Sequence, residues 1–247
     1  MRLATSGGTV INQQPIEKRE PSYEGTLQIH SIFKTIQGEG PFCGTPCVFV
    51  RLAGCNLQCP SCDTDYTSHR LILEPRAIVL AVRDEWQRPD PGLVVITGGE
   101  PFRQHIGELI DMLIHNGFFV QVESNGTMNP PMLPWNRDIG ARRGAYLVVS
   151  PKTGKLNPLA LEAACALKYV VQAGDEHTDG LPKNALGHRS NPYPARPPYG
   201  WDGLVYIQPQ DDKNTSINAR NTAAAVESSL AHGYILQLQV HKYIGVE

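Results

Sequence analysis

Residues 93–124 read LVVITGGEPFRQHIGELIDMLIHNGFFVQVES, and the order of patterns within them decides the fold. Leu93–Thr97 is a short, continuous apolar run, as expected of a strand buried on both faces. In Gln104–Asn116, Ile106, Leu109, Ile110, Leu113 and Ile114 follow the i, i+3, i+4, i+7, i+8 stripe of a helix, and Gly117 is placed to end it. Phe118–Glu123 is a second apolar run. Strand, helix and strand in succession argue for parallel pairing, with the helix crossing over the sheet.

The same alternation extends in both directions. Further candidate strands are Leu27–Phe33, Cys47–Leu52, Tyr146–Ser150, Lys168–Gln172, Leu204–Gln208 and Tyr234–Val240. A helix is expected from Pro75 to about Gln87, with Ile78, Val82 and Trp86 four apart, and another over Ile217–His232, with Thr222, Val226 and Leu230 on one face and Gly233 as its stop. The helices are too few for an eight-unit barrel. The pattern therefore predicts an α/β fold, a modified, incomplete (β/α) barrel with a mostly parallel sheet. Residues 1–24 read as a polar leader, expected to be disordered, and residues 25–247 as a single domain. The Pro-rich segment 175–203 interrupts the pattern and is too long for a simple connector. It fits either a lid over the barrel mouth or a mobile surface insertion.

Lys+Arg and Asp+Glu nearly balance at 22 and 24, and no basic stripe marks a nucleic-acid surface. The N-terminus lacks the apolar stretch of a secretory signal, and no run approaches the ~18–20 apolar residues that span a bilayer. The expectation is a cytoplasmic protein without membrane or nucleic-acid partners, whose six cysteines stand in a reducing setting. There, clustered cysteines more often bind metal than form disulfides. Cys43 and Cys47 read as packing residues, and Cys165 as a small core residue on a short helix in LEAACALK.

Cys55-Asn-Leu-Gln-Cys59-Pro-Ser-Cys62 places three thiols in one loop. Three thiolates can hold three irons of a 4Fe–4S cluster and leave the fourth open, whereas electron-carrying clusters take four cysteines. A structural zinc site is the competing reading, with His69, Cys43 or Cys47 completing the set. Polar groups also gather where strands end: Thr97-Gly98-Gly99-Glu100, Glu123-Ser124-Asn125-Gly126, Ser150-Pro151-Lys152 and Gln208-Pro209-Gln210-Asp211. In a parallel barrel these ends share one face, where such folds place their sites. The C-x3-C-x2-C loop followed by TGGEP resembles the radical S-adenosylmethionine (SAM) enzymes, in which SAM chelates the open iron and a GGEP-type turn meets its methionyl amino group.

Within that superfamily the chain resembles the 7-carboxy-7-deazaguanine synthases. The resemblance runs from about Ile29 to the C-terminus and rests on Phe33-Lys34-Thr35-Ile36-Gln37-Gly38-Glu39-Gly40, Val50-Arg51-Leu52-Ala53-Gly54-Cys55, Cys62-Asp63-Thr64, TGGEP, Glu123-Ser124-Asn125-Gly126-Thr127, Ser150-Pro151-Lys152, Lys168-Tyr169-Val170, IQPQD and Gln239-Val240-His241-Lys242. It implies ring contraction of 6-carboxy-5,6,7,8-tetrahydropterin to 7-carboxy-7-deazaguanine with loss of ammonia, with a 4Fe–4S cluster, SAM and Mg²⁺ as cofactors. A homodimer, and flavodoxin or ferredoxin as electron donor, are implied as well. Cys55, Cys59 and Cys62 would hold the cluster, and Thr64 the Mg²⁺. Gly98, Gly99, Glu100, Ser124, Ser150 and Lys152 would face SAM. Gln37, Glu39, Arg51, Thr97 and Gln208 would meet the substrate, with His241 a weaker candidate. For Glu39 and Arg51 a structural salt bridge is the alternative. Another short radical SAM enzyme, such as a glycyl-radical activase, is the nearest rival. Ser61 departs from the aromatic residue that many radical SAM proteins carry at that position.

Overall fold

The computed structural model describes residues 12–189 and 193–246. β1 (Leu27–Ile36) and β2 (Pro46–Leu52) form an antiparallel pair, with β3 (Leu71–Leu73) on the far side of β1. β2 then pairs in parallel with β4 (Leu93–Gly98), and parallel pairing continues through β5 (Phe119–Ser124), β6 (Ala145–Val149) and β7 (Ala164–Val171). A hairpin of β8 (Asn184–Ala185) and β9 (His188–Arg189) stands apart, and the sheet resumes with β10 (Leu204–Pro209) and β11 (Ile235–Leu236). The resulting nine-stranded sheet does not close on itself, and its order is β11-β10-β7-β6-β5-β4-β2-β1-β3. It is the mostly parallel α/β sheet of an incomplete barrel, as the sequence predicts.

The two faces of the sheet divide the side chains. Val94 and Ile96, Val120 and Val122, Leu147 and Val149, and Leu167 and Tyr169 point outward, into a core shared with α1 (Pro75–Trp86), α2 (Gly107–His115) and α3 (Pro158–Ala163). The inner face changes character along each strand. Near the strand starts it carries Leu93, Val95, Phe119, Tyr146 and Ala166, packed around Phe42. Toward the ends it carries Thr97, Glu123, Ser150 and Lys168, around a cavity. Because side chains alternate at a period of two, each strand can serve the core on one face and the site on the other.

Four details differ from the sequence expectations. The strand expected over Tyr234–Val240 shrinks to Ile235–Leu236, because Gln237 turns inward to bond both the N–H (2.5 Å) and the carbonyl (3.1 Å) of Gly40. The following residues form α5 (Val240–Ile244). Cys165 lies in β7, with its thiol on the Leu147 carbonyl at 3.3 Å, since α3 ends at Ala163. The face of α4 (Thr215–His232) turned to the sheet is Asn221, Ala225 and Ser228, whereas Leu230 is 83% exposed. Polar contacts dock this helix: Asn221 bonds the Gln210 carbonyl and Asp212, and Ser228 the Gly180 carbonyl, so an apolar stripe could not mark its face. Finally, residues 12–20, expected in a disordered leader, lie against the cysteine loop; residues 1–11 are outside the described residues.

The 175–203 segment is anchored by the Arg196–Asp179 ion pair (2.8 Å), by Tyr169 Oη on the Ala195 carbonyl (2.6 Å) and by Tyr234 Oη on the Asp179 carbonyl (2.8 Å). Its hairpin reaches the cavity mouth, where the Leu186 carbonyl accepts from Ser61 N at 2.9 Å. Among the described residues no helix is long and apolar enough to cross a membrane.

Phe42 is the residue whose loss should be felt furthest. It is 3% exposed and meets the rings of Phe119 and Tyr146 edge-on, at 5.2 and 4.9 Å. Phe42→Ala is expected to lower unfolding free energy in urea by about 3–5 kcal/mol, the usual cost of an emptied aromatic site.

Candidate active site

A cavity of about 600 Å³ opens at the C-terminal ends of the parallel strands, a size typical of small-molecule sites. Cys55, Cys59, Cys62 and Thr64 line one side, and Thr97, Gly98, Gly99 and Ser124 the adjoining strand ends. Ser150, Lys152 and Gln208 follow along the sheet, while Gln37, Glu39 and Arg51 come from β1, its following loop and β2. Of the residues expected from sequence to hold the cluster, Mg²⁺, SAM or substrate, Glu100 stands behind the wall, and His69, Cys43 and Cys47, the candidates for completing a zinc set, do not line the cavity. The Glu100 carboxylate is fully buried and accepts from Phe102 N (3.0 Å), Ser124 Oγ (2.8 Å) and Asn125 N (2.8 Å), so it braces the turns that carry Gly99 and Ser124.

The three cluster-loop thiols share the cavity. Burial pushes Cys55 up to about 12, and the neighbouring thiols of Cys59 and Cys62 add to the rise; burial raises Cys59 and Cys62 too. With nothing bound they are therefore neutral thiols at pH 7, and a bound metal would draw off their protons. The Lys152 cation acts in the opposite direction at Cys59 and Cys62, favouring their thiolates. An all-sulfur set of three beside a buried cation suits an iron–sulfur cluster. Among the described residues no three His, Cys, Asp or Glu side chains gather around a single-ion site. The Lys152 ammonium donates to Ser150 Oγ (2.5 Å) and to the Ser150 carbonyl (3.1 Å), and burial pulls its pKa down.

The glycines of TGGEP have a structural reason. Gly98 sits at φ +127°, where a Cβ would fall 2.2 Å from the Leu52 carbonyl oxygen, and a Cβ on Gly99 would fall 1.9 Å from that of Gly54. No side chain fits. The turn is thereby pressed onto the backbone that leads into Cys55, with Glu100 N donating to the Gly54 carbonyl at 3.0 Å.

At the other end of the cavity Lys168 stands between two carboxylates. Its ammonium is 2.9 Å from Glu123 Oε2 and also pairs with Glu39. Burial pushes Glu39 up, but the Lys168 charge and hydrogen bond, with the Gln239 amide, outweigh it and hold the carboxyl down at about 2. Lys168 is held protonated: burial opposes its charge, and Glu123 and Glu39 more than compensate. Gln37 Nε2 donates to Glu123 at 2.9 Å. Arg51 lies over the Phe33 ring at 5.2 Å. Gln208, on the cavity wall, is 3% exposed, and its Oε1 is buried without a hydrogen-bond partner. His241 lines the same end, packed on Gly38, where a Cβ would come within 1.9 Å of Nδ1.

Sequence reasoning assigned no role to Lys168, Glu123 or Gln239. A signal existed for the first two: a lone lysine in ACALKYVV and a lone glutamate in FVQVES interrupt strands buried on both sides. Gln239 falls in the terminal QVHK stretch that the resemblance rests on, but nothing in that stretch points to its partner, Glu39, 200 residues away.

The cavity thus joins a three-thiol loop to a charged pocket across the ends of a parallel sheet, and relatives share the chain that builds it. It is 40% identical over 244 residues to a curated 7-carboxy-7-deazaguanine synthase of Rhodospirillum rubrum, covering 96% of this chain and 100% of that one. The chain belongs to the 7-carboxy-7-deazaguanine synthase family. A second synthase, from Rickettsia prowazekii, is 36% identical over 236 residues, with 92% of each chain covered. The chain matches no family model. The crystal structure of QueE from Escherichia coli has the same fold, with a TM-score of 0.61 over 86% of this chain and 93% of that one, at 24% identity. As a member of this family the chain is a radical SAM enzyme.

Removing the central cation of the pocket should be costly. Lys168→Met leaves two partly buried carboxylates facing each other without their cation, and a loss of about 3 kcal/mol in urea unfolding, the low end for a broken buried pair, is expected. The acid dependence should also change sign. In the native protein Glu39 sits near 2 against an ordinary 4.5, so its contribution is complete above pH 4.5 and fades as pH falls toward 2. In the variant the Lys168 attraction is gone and burial, the largest influence on Glu39, is opposed only by the Gln239 hydrogen bond and the His241 charge; Glu39 then rises above its ordinary value, so stability should grow as pH falls through that raised value.

Proposed function

We propose that the cavity binds SAM on a 4Fe–4S cluster held by Cys55, Cys59 and Cys62, and that it converts 6-carboxy-5,6,7,8-tetrahydropterin to 7-carboxy-7-deazaguanine. One observation carries this reading: a cavity with three thiols at one end and a dense, oppositely charged pocket at the other. Cys55, Cys59 and Cys62 would hold the cluster, and cluster and SAM together would supply the one-electron chemistry needed to activate a C–H bond of the substrate. Every other demand falls on the protein's own groups.

The pterin presents a carboxylate, ring N–H donors and an amino group. Arg51, with its planar fork of donors, takes the carboxylate. Glu39 is kept ionised by Lys168, so it accepts from the aminopyrimidine edge at any pH the enzyme meets. Gln208 Oε1, buried and unpartnered, accepts one further N–H, since leaving such an atom unmet costs about 1–3 kcal/mol. Thr97 and Gln37 complete that side. Gly98, Gly99, Ser124, Ser150 and Lys152 face SAM, and Lys152 sets a positive charge near its carboxylate. Thr64 is the protein's contact to Mg²⁺, an ion that takes most of its ligands from water and substrate. A flavodoxin or ferredoxin delivers the electron, and the enzyme works as a homodimer.

The test is an anaerobic assay of cluster-reconstituted protein with the pterin, SAM, Mg²⁺ and dithionite, with products read by mass spectrometry. Carboxydeazaguanine should form, and Cys59→Ala should form none. SAM cleavage without turnover of the pterin would overturn the substrate assignment. Gln208→Leu is expected to lower kcat/KM by about 10–100-fold with the cluster intact, the loss of a hydrogen bond or two in a dry pocket.

A further inference from the structure

We infer that residues 12–20 form a strap that sets the cysteine loop in place for its cluster, with Asn12 and Gln14 as positioning residues. The inference rests on the cluster assignment above.

The loop from Ala53 to Arg70 has no strand beyond a single bridge at Cys55 and no helix, so its backbone groups need partners from elsewhere. The strap supplies them in sequence. Asn12 Nδ2 donates to the Cys59 carbonyl (3.2 Å) and Asn12 N to that of Pro60 (2.9 Å). Gln14 makes a fork: Nε2 donates to the Thr64 carbonyl (2.9 Å), while Oε1 accepts from Tyr66 N (2.8 Å) and Thr67 Oγ1 (3.1 Å). Glu17 N donates to the Cys55 carbonyl at 2.7 Å. The strap thus holds the backbone at two of the three cysteines and at Thr64.

Beyond Glu17 the strap fastens to the other half of the site. Arg103, two residues past the TGGEP turn, is 2% exposed. It pairs with Glu20 (2.6 Å) and Glu17 (3.3 Å), and donates to the Ala53 carbonyl at 3.2 Å. Its side chain lies so close to Gly54 that a Cβ there would come within 2.6 Å of Nε. One short polar segment therefore ties the thiol loop and the SAM-facing turn to the same anchor. None of residues 12–20 lines the cavity, so the strap acts from behind the loop, as outer partners of metal ligands do.

The test compares the wild-type chain with Asn12→Ala/Gln14→Ala, Gln14→Glu and the core variant Phe42→Ala. Iron per chain is measured after anaerobic reconstitution. Loss of cluster absorbance in EDTA is then followed, and the EPR signal of the reduced cluster is recorded with and without SAM. The double variant should lose its cluster about 10–100-fold faster than wild type, and its EPR signal should broaden into several species. Gln14→Glu keeps the two accepted bonds and loses the two donated ones, to the Thr64 carbonyl and Asn12 Oδ1, so it should fall between. Phe42→Ala should release its cluster at nearly the wild-type rate despite its weaker fold. The inference is overturned if the double variant matches wild type in lifetime and EPR signal, or if Phe42→Ala loses its cluster as fast as the double variant. A wild-type chain that takes up no iron overturns the cluster assignment itself, a distinct result.

Discussion

The site depends on one close approach: Gly98 and Gly99 pressed onto the backbone of Leu52 and Gly54. β2 and β4 are already in parallel register, with Leu52 opposite Gly98, and the glycines let that contact continue past the strand ends. The chain leaving β2 becomes the cysteine loop, and the chain leaving β4 becomes the TGGEP turn that lines the cavity beside it. Any Cβ at either glycine would drive the two apart by more than a small side-chain shift could absorb, since the opposing atoms are backbone. Glu100 carries the geometry one strand further, because its carboxylate holds Ser124 and Asn125 at the end of β5.

Within that frame the inner face of the sheet acts as a gradient. Phe42, Phe119 and Tyr146 seal the base, while the polar ends above them face the cavity. A buried Glu–Lys–Glu group is not an economical way to hold a fold together, because desolvation cancels most of the attraction between its charges. An apolar residue at Lys168 would suit β7 better, as its neighbours in ACALKYVV show. The group is better understood as preorganisation. Lys168 holds Glu39 ionised and keeps both carboxylates in place before a ligand arrives, so binding does not have to reorient them.

Most of this architecture was legible in sequence where a pattern has a local cause. The strands around Leu93–Gly98 and Phe119–Ser124 announce themselves as apolar runs, and Pro75 and Gly233 mark helix ends. Legibility failed where the cause is distant. Tyr234–Val240 has strand-like composition, but Gln237 is drawn off by Gly40 across the molecule. The docked face of α4 is polar because its partners are loop carbonyls, not apolar side chains. Lys168 could be seen as an oddity in its strand, yet its two partners lie 129 and 45 residues away.

The strap shows the same limit from the other side. Asn12-Gln-Gln-Pro-Ile-Glu has no period and few apolar residues, the composition usually associated with disorder. A segment can be ordered without a core of its own when it meets a loop whose donors and acceptors are unspent. The cysteine loop is such a partner: a regular element there would spend its backbone groups on itself and set its side chains at fixed spacings along one face, whereas three sulfurs around one cluster must converge from an irregular turn. The loop's irregular backbone leaves carbonyls at Cys55, Cys59 and Thr64 to be met from outside, and a polar segment meets them with the Glu17 backbone N–H and the Asn12 and Gln14 side-chain amides.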